Sequence, residues 1–394
     1  MRRAALAGLV VVDVVVVAWV LLSFRDGVLG SAYRMDLDVY RVAVDVWWRG
    51  GDLYGELPRL ANGWHLPYIY PPVAVLVLAP FAVVPFWLAS AVFALVTIAA
   101  VALVLVLVLR ALAVRPTPVL VGALLPVALA LEPVRETLYF GQVNALLMAL
   151  VVADCLVPHP RWPRGVLVGV AAAVKLTPAV FVLFFLLRGD RRAALTAAVS
   201  FGCATAVGFL VSWSNSVRFW THEALHSSQF RGMSNEMNQS LKVVLVRFGV
   251  DPRLLWPLLA VVVLGVTALA MRRAFAAGWP AWALGLNALG TLLISPVSYS
   301  HHWVWIVPIL LTGAVYAWHT RGTAVTVALA AGTLVFVLAP HWWWDPKAPW
   351  DAWRLLAGNA YVWAAAITLV LAAFLRSTVP SGQTVSRLGE EVRR

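Results

Sequence analysis

Charge is what this chain has least of. Only 12% of its 394 residues are charged, against 62% hydrophobic, and the mean hydropathy is +0.85. A soluble domain carries roughly a quarter of its residues charged, so the composition excludes a water-soluble fold and implies an integral membrane protein. Cysteine is almost missing too. Cys155 and Cys203 both lie within or at the end of apolar runs and show no metal-ligand spacing, which excludes a disulfide framework, a zinc site and thiol redox chemistry. The chain also lacks internal repeats of the kind many transporters show, and its one low-complexity stretch is the polar tail "RSTVPSGQTVSRLGEEVRR".

What fills the chain is apolar runs of about 17 to 25 residues, the length a helix needs to span ~30 Å of hydrocarbon, rather than the alternating ten-residue segments of a barrel. Spans are expected near 4–22, 86–109, 116–133, 142–157, 165–187, 193–212, 254–271, 279–296, 302–318, 323–340 and 357–375. The run at 4–22 reads as a retained signal anchor, because "LLSFRDG" offers no small-residue cleavage site. The segment "RGVLVGVAAAVKLTPAVFVLFFLLRGDRR" has arginines at both ends and "KLTP" in its middle. A single crossing would put basic clusters on opposite sides and a lysine at mid-depth, so we read a V of two short helices with Lys175 and Pro178 at its apex.

The expected fold is therefore an all-α polytopic membrane protein of about 12 helical segments, with both termini cytoplasmic. The net charge of +12 is an arginine excess on short cytoplasmic loops, so no nucleic acid partner is invoked. The long loops at 23–85, 213–253 and 341–356, rich in Asp, His, Asn and Trp, fall on the outer face, where a functional site should open.

In the first of these loops stands "SAYRMDLDVYRVAVDVWWRGGDLYG". From Asp38 to Arg49, Val39, Val42, Ala43, Val46 and Trp47 recur at helical spacing, which predicts an amphipathic helix along the outer surface. Asp36, just before it, is placed to take a proton from a hydroxyl of a membrane-bound substrate; the competing reading makes it a helix cap. Asp36 and Asp38 also spell D-x-D, a metal–diphosphate pattern in some sugar transferases, but at i and i+2 on a helix they point apart and no third hard ligand is near, so no metal is expected.

Further along, "WHLPYIYPPVAVLVLAPFAVVP" (64–85) predicts a second surface or re-entrant helix. "EPVRETLYFGQVNALL" brings Glu132, Arg135, Gln142 and Asn144; "AAAVKLTP" brings Lys175; "MNQSLK" brings Asn238; "SPVSYSHHWVW" brings His301 and His302. All map to the outer end of the bundle. Carboxylate, lysine, arginine and imidazole groups at one level predict a cavity for an anionic, hydroxyl-rich ligand presented by lipids. Taken singly each has a plainer reading: a snorkelling lysine, a satisfied histidine at a helix start.

The ensemble "MDLDVYRVA…WWRGGDLYG", "YIYPP", "GQVN", "AAAVKLTP", "NQSL" and "SPVSYSHHWVW" resembles the actinobacterial polyprenyl-phosphate-mannose-dependent mannosyltransferases. This is the group with the α-(1→2) mannosyltransferases of phosphatidylinositol mannoside synthesis, glycosyltransferase family 87, of GT-C fold. The resemblance covers roughly residues 1–376, the membrane-embedded domain, and leaves 377–394 as a polar cytoplasmic tail. It implies a polyprenyl-phosphate-mannose donor, a glycolipid acceptor of phosphatidylinositol mannoside or lipomannan type, an inverting reaction on the outer face, and no cofactor.

Carried over by position, the resemblance puts the essential aspartate of a D-L-x-V-Y context at Asp36 as general base, with Asp38 at the variable position. Its K-x-T-P lysine is Lys175, expected at the donor phosphate. Its S-x-S-x-H-H histidine is His301 or His302, and the sequence does not choose. Arg41 is a further candidate for the phosphate; Asp38, Tyr40, Tyr70, Gln142, Asn144 and Asn238 are candidates for substrate contact. Trp64 and the "HWWWDPKAPWDAW" loop are candidates for sugar stacking, with the interfacial aromatic belt as the plainer account. Two rivals stand beside this reading: an arabinofuranosyltransferase using a polyprenyl-phosphate-arabinofuranose donor, and a glycolipid flippase or transporter, for which Asp13 within the first span is the one acid in favour.

Overall fold

The computed structural model describes residues 33–226 and 235–375. The anticipated span at 4–22 and the tail at 377–394 lie outside them. Among the described residues every regular element is helical, and the only β pairing is an isolated bridge between Asn238 and Tyr299.

Two short helices precede the bundle. The first, α1 (Met35–Trp48), begins three residues earlier than its apolar period suggests. Asp36 therefore lies inside its first turn, and Arg34 occupies the cap position. The second, α2 (Ala74–Ala82), follows the Pro-Pro turn and stops before Pro85. They pack on each other, burying Leu37, Val39, Tyr40, Ala43 and Val44 of α1 and Ala74, Val75 and Leu78 of α2. The helix anticipated within 64–85 is thus real but only nine residues long.

The bundle starts with α3 (Phe86–Ala111), 26 residues and ~39 Å long, with Arg110 in its last turn. Then α4 (Pro118–Ala130), capped by Thr117 and opened by a proline, runs back and bends by 76° into α5 (Glu132–Phe140). Helix α6 (Asn144–Leu156) returns towards the arginine-rich end.

Next comes the anticipated V. Helix α7 (Val166–Val174) ends where Lys175 turns extended, at φ −149°. A 3-10 turn over Thr177–Phe181 leads into α8 (Val182–Arg188), which runs back. Both ends of the segment meet at one level: Arg164 and Arg188 each donate to the Cys155 carbonyl, at 3.4 and 3.2 Å. Buried Asp154 fastens the ingoing leg by accepting from the N–H groups of Gly165 and Val168, each at 2.9 Å, and from Trp162 Nε1 at 3.0 Å. The V lies against α9 (Arg191–Val211) with no room to spare, since a Cβ on Gly165 would come within 2.1 Å of the Ala193 carbonyl oxygen.

After the segment between α9 and α12, which contains α10 (Trp213–Arg218) and α11 (Leu241–Arg247), come α12 (Pro252–Ala276), α13 (Pro280–Ile294), α14 (Ile306–Thr320) and α15 (Thr323–Leu338). A short α16 (Ala352–Ala357) precedes α17 (Ala360–Phe374). Helix α13 is buried on nearly every side and forms the centre of this half. Leu195, Val199 and Leu210 of α9 and Leu254, Leu258 and Val261 of α12 stay exposed, a pattern that fits hydrocarbon rather than water as the neighbour.

By length and apolarity, five helices among the described residues can cross a bilayer unaided, or six if the bent α4–α5 pair is one span. The anticipated count of about twelve segments is not established by length: α6, α13 and α17, at 13 to 15 residues, reach only ~20 Å, short of a ~30 Å hydrocarbon core. The apolar runs that suggested full spans are shortened by the bend after α4 and by irregular turns at the end away from the arginines.

Candidate functional site

The site forms where α1, the α5–α6 turn, the apex of the V and the Ser300–Trp305 turn converge. Its first group is Asp36. Half-buried in the first turn of α1, it caps no helix; its Oδ2 instead accepts from Gln142 Nε2 at 2.5 Å. The other end of that amide is equally occupied: Tyr40 and Tyr70 both donate to Gln142 Oε1, at 3.1 and 2.8 Å, and their hydroxyls lie 2.8 Å apart. Asp36 and Tyr40 stand one helical turn apart and so present the same face of α1 to Gln142.

Gly141 allows this approach. Its φ of +73° closes α5 in the left-handed region, and a Cβ there would sit 2.9 Å from Leu37 Cβ on α1. The "GQVN" motif is thus a helix stop, a close approach and an amide in succession. Burial pushes the Asp36 carboxyl up to about 6, against the opposing pull of the Gln142 hydrogen bond and the Lys175 charge.

Lys175 supplies the second group. Its Nζ donates to Asn144 Oδ1 at 2.9 Å, lies 3.3 Å from His302 Nε2, and stands 5.5 Å from the centre of the Tyr70 ring. Asn144 in turn donates to the His301 carbonyl at 2.9 Å, which also accepts from Thr137 Oγ1 at 3.0 Å. The two adjacent histidines thereby face different neighbours. His302 faces Lys175, while the His301 ring, 5% exposed, sits among Phe140, Tyr299 and His302 and its backbone carries the hydrogen bonds.

Beside Lys175 opens a pocket of about 470 Å³, a volume that takes in the solvent at its mouth. Its lining combines polar residues, among them Asn144, Lys175, Thr177, Ser298 and His302, with apolar ones, Leu147, Phe181, Leu292 and Trp305. Phe181 and Trp305 stack at 4.4 Å between ring centres and stiffen that lining. A pocket lined by a cation and by apolar rings suits an anionic head on a hydrocarbon chain.

Several residues singled out in the sequence lie elsewhere or serve the frame. Arg41 donates to the carbonyls of Phe81 and Val84, holding the end of α2, and its guanidinium lies 5.6 Å from the Phe86 ring. Asp38 accepts from Tyr33 OH and the Ala61 N–H, both at 2.9 Å, and so ties the loop after α1 to that helix. The two aspartates of D-x-D thus point to different partners, and no three metal-ligating side chains cluster among the described residues. Asn238 is fully buried and accepts from the Ser298 N–H at 3.0 Å. Trp64 is exposed. Asp36, Tyr40, Tyr70, Gln142, Asn144, Lys175 and His302 are the ones brought together.

Sequence reasoning gave Glu132 no partner. Its carboxylate, 1% exposed, accepts from Trp342 Nε1 at 3.0 Å and Tyr361 OH at 2.9 Å, and His341 Nε2 lies 3.3 Å away. This knot joins α5 to the turn after α15 and to α17, behind the histidine turn. A glutamate opening a short amphipathic helix signals only a first-turn acid, and nothing local points to partners more than 200 residues on.

Comparison with known proteins places this geometry in a lineage. The chain is 37% identical over 366 residues, 87% of its length and 85% of the relative's, to the polyprenol-phosphate-mannose-dependent alpha-(1-2)-phosphatidylinositol mannoside mannosyltransferase of Mycobacterium tuberculosis. The protein of the same description from Mycolicibacterium smegmatis is 37% identical over 88% of this chain and 85% of its own. A phosphatidylinositol pentamannoside mannosyltransferase, also polyprenol-phosphate-mannose-dependent and also from Mycolicibacterium smegmatis, is 32% identical over 95% of this chain and 92% of its own. The profile of one family matches residues 68–296, a stretch that holds Tyr70, Gln142, Asn144 and Lys175. With relatives of that identity over most of its length, this membrane protein belongs to glycosyltransferase family 87.

Proposed function

We propose that the protein transfers mannose from a polyprenyl-phosphate-mannose donor to a mannosyl glycolipid of the phosphatidylinositol mannoside type, forming an α-(1→2) link. The activities for which its relatives are named support the donor and the linkage. The observation that carries the mechanism is the pairing, within one site, of a carboxylate held by Gln142 with an ammonium at the apex of a re-entrant V.

In this mechanism Asp36 is the general base. With its carboxyl at about 6 it is ionised at neutral pH yet more basic than a solvent-exposed aspartate, which suits proton removal from an acceptor hydroxyl. The hydroxyl oxygen attacks the anomeric carbon from the face opposite the phosphate. The carbon–oxygen bond to the phosphate breaks with inversion, turning a β-mannosyl phosphate into an α-mannoside, and the proton goes to Asp36. A phosphate monoester leaves without needing a strong acid; it needs fixed positive charge and donors where its negative charge grows. Lys175 and His302 meet that need, and the apolar lining of Phe181, Leu292 and Trp305 takes the first part of the polyprenyl chain.

We assign the site end of the bundle to the extracytoplasmic face and the Arg110, Arg164, Arg188 and Arg273 end to the cytoplasm, in keeping with the positive-inside rule. The two legs of the V and the short apolar helices then count as membrane segments of a GT-C arrangement. The test uses purified protein in detergent with polyprenyl-phosphate-mannose and a panel of phosphatidylinositol mannosides, product being read by mass. Addition of one hexose by the wild type, absent in Asp36→Ala and Asp36→Asn, supports the reading; turnover only with an arabinofuranosyl donor overturns the substrate, and full activity of both variants overturns the base.

A further inference from the structure

Ser298 lines the pocket beside Lys175 and is fully buried, yet its hydroxyl has no hydrogen-bond partner among the described residues. An orphaned hydroxyl away from water is costly, because its lost hydration is not replaced. Two other hydroxyls of the lining are satisfied: Ser295 Oγ donates to the Val297 carbonyl at 2.6 Å and Thr291 Oγ1 to the Asn287 carbonyl at 2.8 Å. Ser298 differs from them in having nothing to donate to.

Its backbone, by contrast, is fixed from both sides. Asn238 Oδ1 accepts from the Ser298 N–H at 3.0 Å, and the Ser298 carbonyl accepts from the Gln239 N–H at 2.8 Å. These bonds, with the bridge between Asn238 and Tyr299, bind "MNQS" to "SPVSYSHH" across 60 residues of sequence. A segment clamped so firmly while its hydroxyl stays unpaired is built to present that hydroxyl to something the protein does not itself contain.

We infer that Ser298 is a third donor to the phosphate of the polyprenyl-phosphate substrate, beside Lys175 and His302, and that Asn238 is a positioning residue that holds it there. This rests on the functional reading above. The ammonium gives the anion its charge; the clamped hydroxyl gives it a fixed direction, which a flexible lysine stem does not. It also assigns the "NQSL" motif a purpose: its asparagine contacts no sugar and acts through Ser298.

The experiment measures binding of a polyprenyl monophosphate to the full-length protein in detergent by quenching of tryptophan fluorescence, with the uncharged polyprenol as control. Ser298→Ala weakens binding of the phosphate by roughly ten- to a hundredfold, the range for losing a hydrogen bond to a charged group, and leaves polyprenol binding unchanged. Ser298→Cys, which keeps the volume but offers a weak donor, shows the same direction. Asn238→Ala weakens phosphate binding too, and combining it with Ser298→Ala adds little, because both remove one interaction. Wild-type affinity in Ser298→Ala and Ser298→Cys, while Lys175→Met loses it, overturns the inference and leaves the functional reading standing; failure of the wild type to prefer the phosphate over the polyprenol overturns both.

Discussion

Gln142 Nε2 donates to Asp36 Oδ2 at 2.5 Å across 106 residues of sequence, while its carbonyl oxygen takes hydrogen bonds from Tyr40 and Tyr70. One amide thus fixes the direction of the carboxylate and is itself fixed by two phenols. In the proposed mechanism this arrangement keeps one carboxylate oxygen engaged and leaves the other for the incoming hydroxyl.

The protonation of Asp36 should govern the acid limb of the pH profile. Its carboxyl lies at about 6 and must be ionised to accept a proton, so kcat/KM rises as pH increases through about 6 and levels off above. Gln142 donates to the charged form and lowers the pKa; Gln142→Met therefore moves the midpoint upward, by about one pH unit. Asp36→Asn abolishes the limb and lowers turnover by roughly 10²–10⁴-fold. Initial rates from pH 5 to 9 check all three.

Gly141→Ala tests the approach of the α5–α6 turn to α1. The added methyl meets Leu37 Cβ at 2.9 Å in a backbone conformation that side chains rarely adopt. The expected outcome is a stability loss of about 1–3 kcal/mol, read by thermal unfolding, and a turnover loss larger than stability alone explains, because Gln142 is displaced from Asp36.

The two neighbouring histidines should separate in kinetics. His302→Ala removes a ring 3.3 Å from Lys175 Nζ and raises the donor KM. His301→Ala leaves the backbone carbonyl that binds Thr137 and Asn144 in place, so it costs stability more than donor affinity. Lys175→Met lowers turnover by roughly 10²–10³-fold, the range for losing one stabiliser of developing negative charge.

Arg41 separates frame from chemistry. Arg41→Ala leaves the Phe81 and Val84 carbonyls without their donor, so thermal stability falls while the donor KM stays within about twofold of wild type. A large rise in KM would place Arg41 at the phosphate after all.

Much of this was legible in the sequence because it follows from local rules. Arginines at both ends of an apolar run with "KLTP" between them require a turn back, and Lys175 stands at that turn with Arg164 and Arg188 meeting at Cys155. The apolar period of α1 is visible, but its start is not, since Arg34 at the cap position makes no side-chain capping hydrogen bond and the apolar Met35 and Leu37 extend the helix three residues upstream. What stayed hidden depends on distant partners. Asp38 and Arg41 carry the charges a substrate site would want, and only the positions of Ala61 and of the α2 carbonyls show that they hold the frame. Glu132 with His341 and Tyr361, and Asn238 with Ser298, are pairings that no period or spacing encodes.

The spacing of the site's groups along the chain has a consequence for biosynthesis. Asn144 precedes Lys175 by 31 residues, whereas His302 follows it by 127. A chain threaded into the bilayer from its N-terminus therefore has the amide waiting when the lysine arrives, and the charge has a polar neighbour from its first moments in the membrane. The imidazole comes only after α9 and α12 have been made, so in the proposed mechanism the donor site is complete only when most of the chain has been inserted.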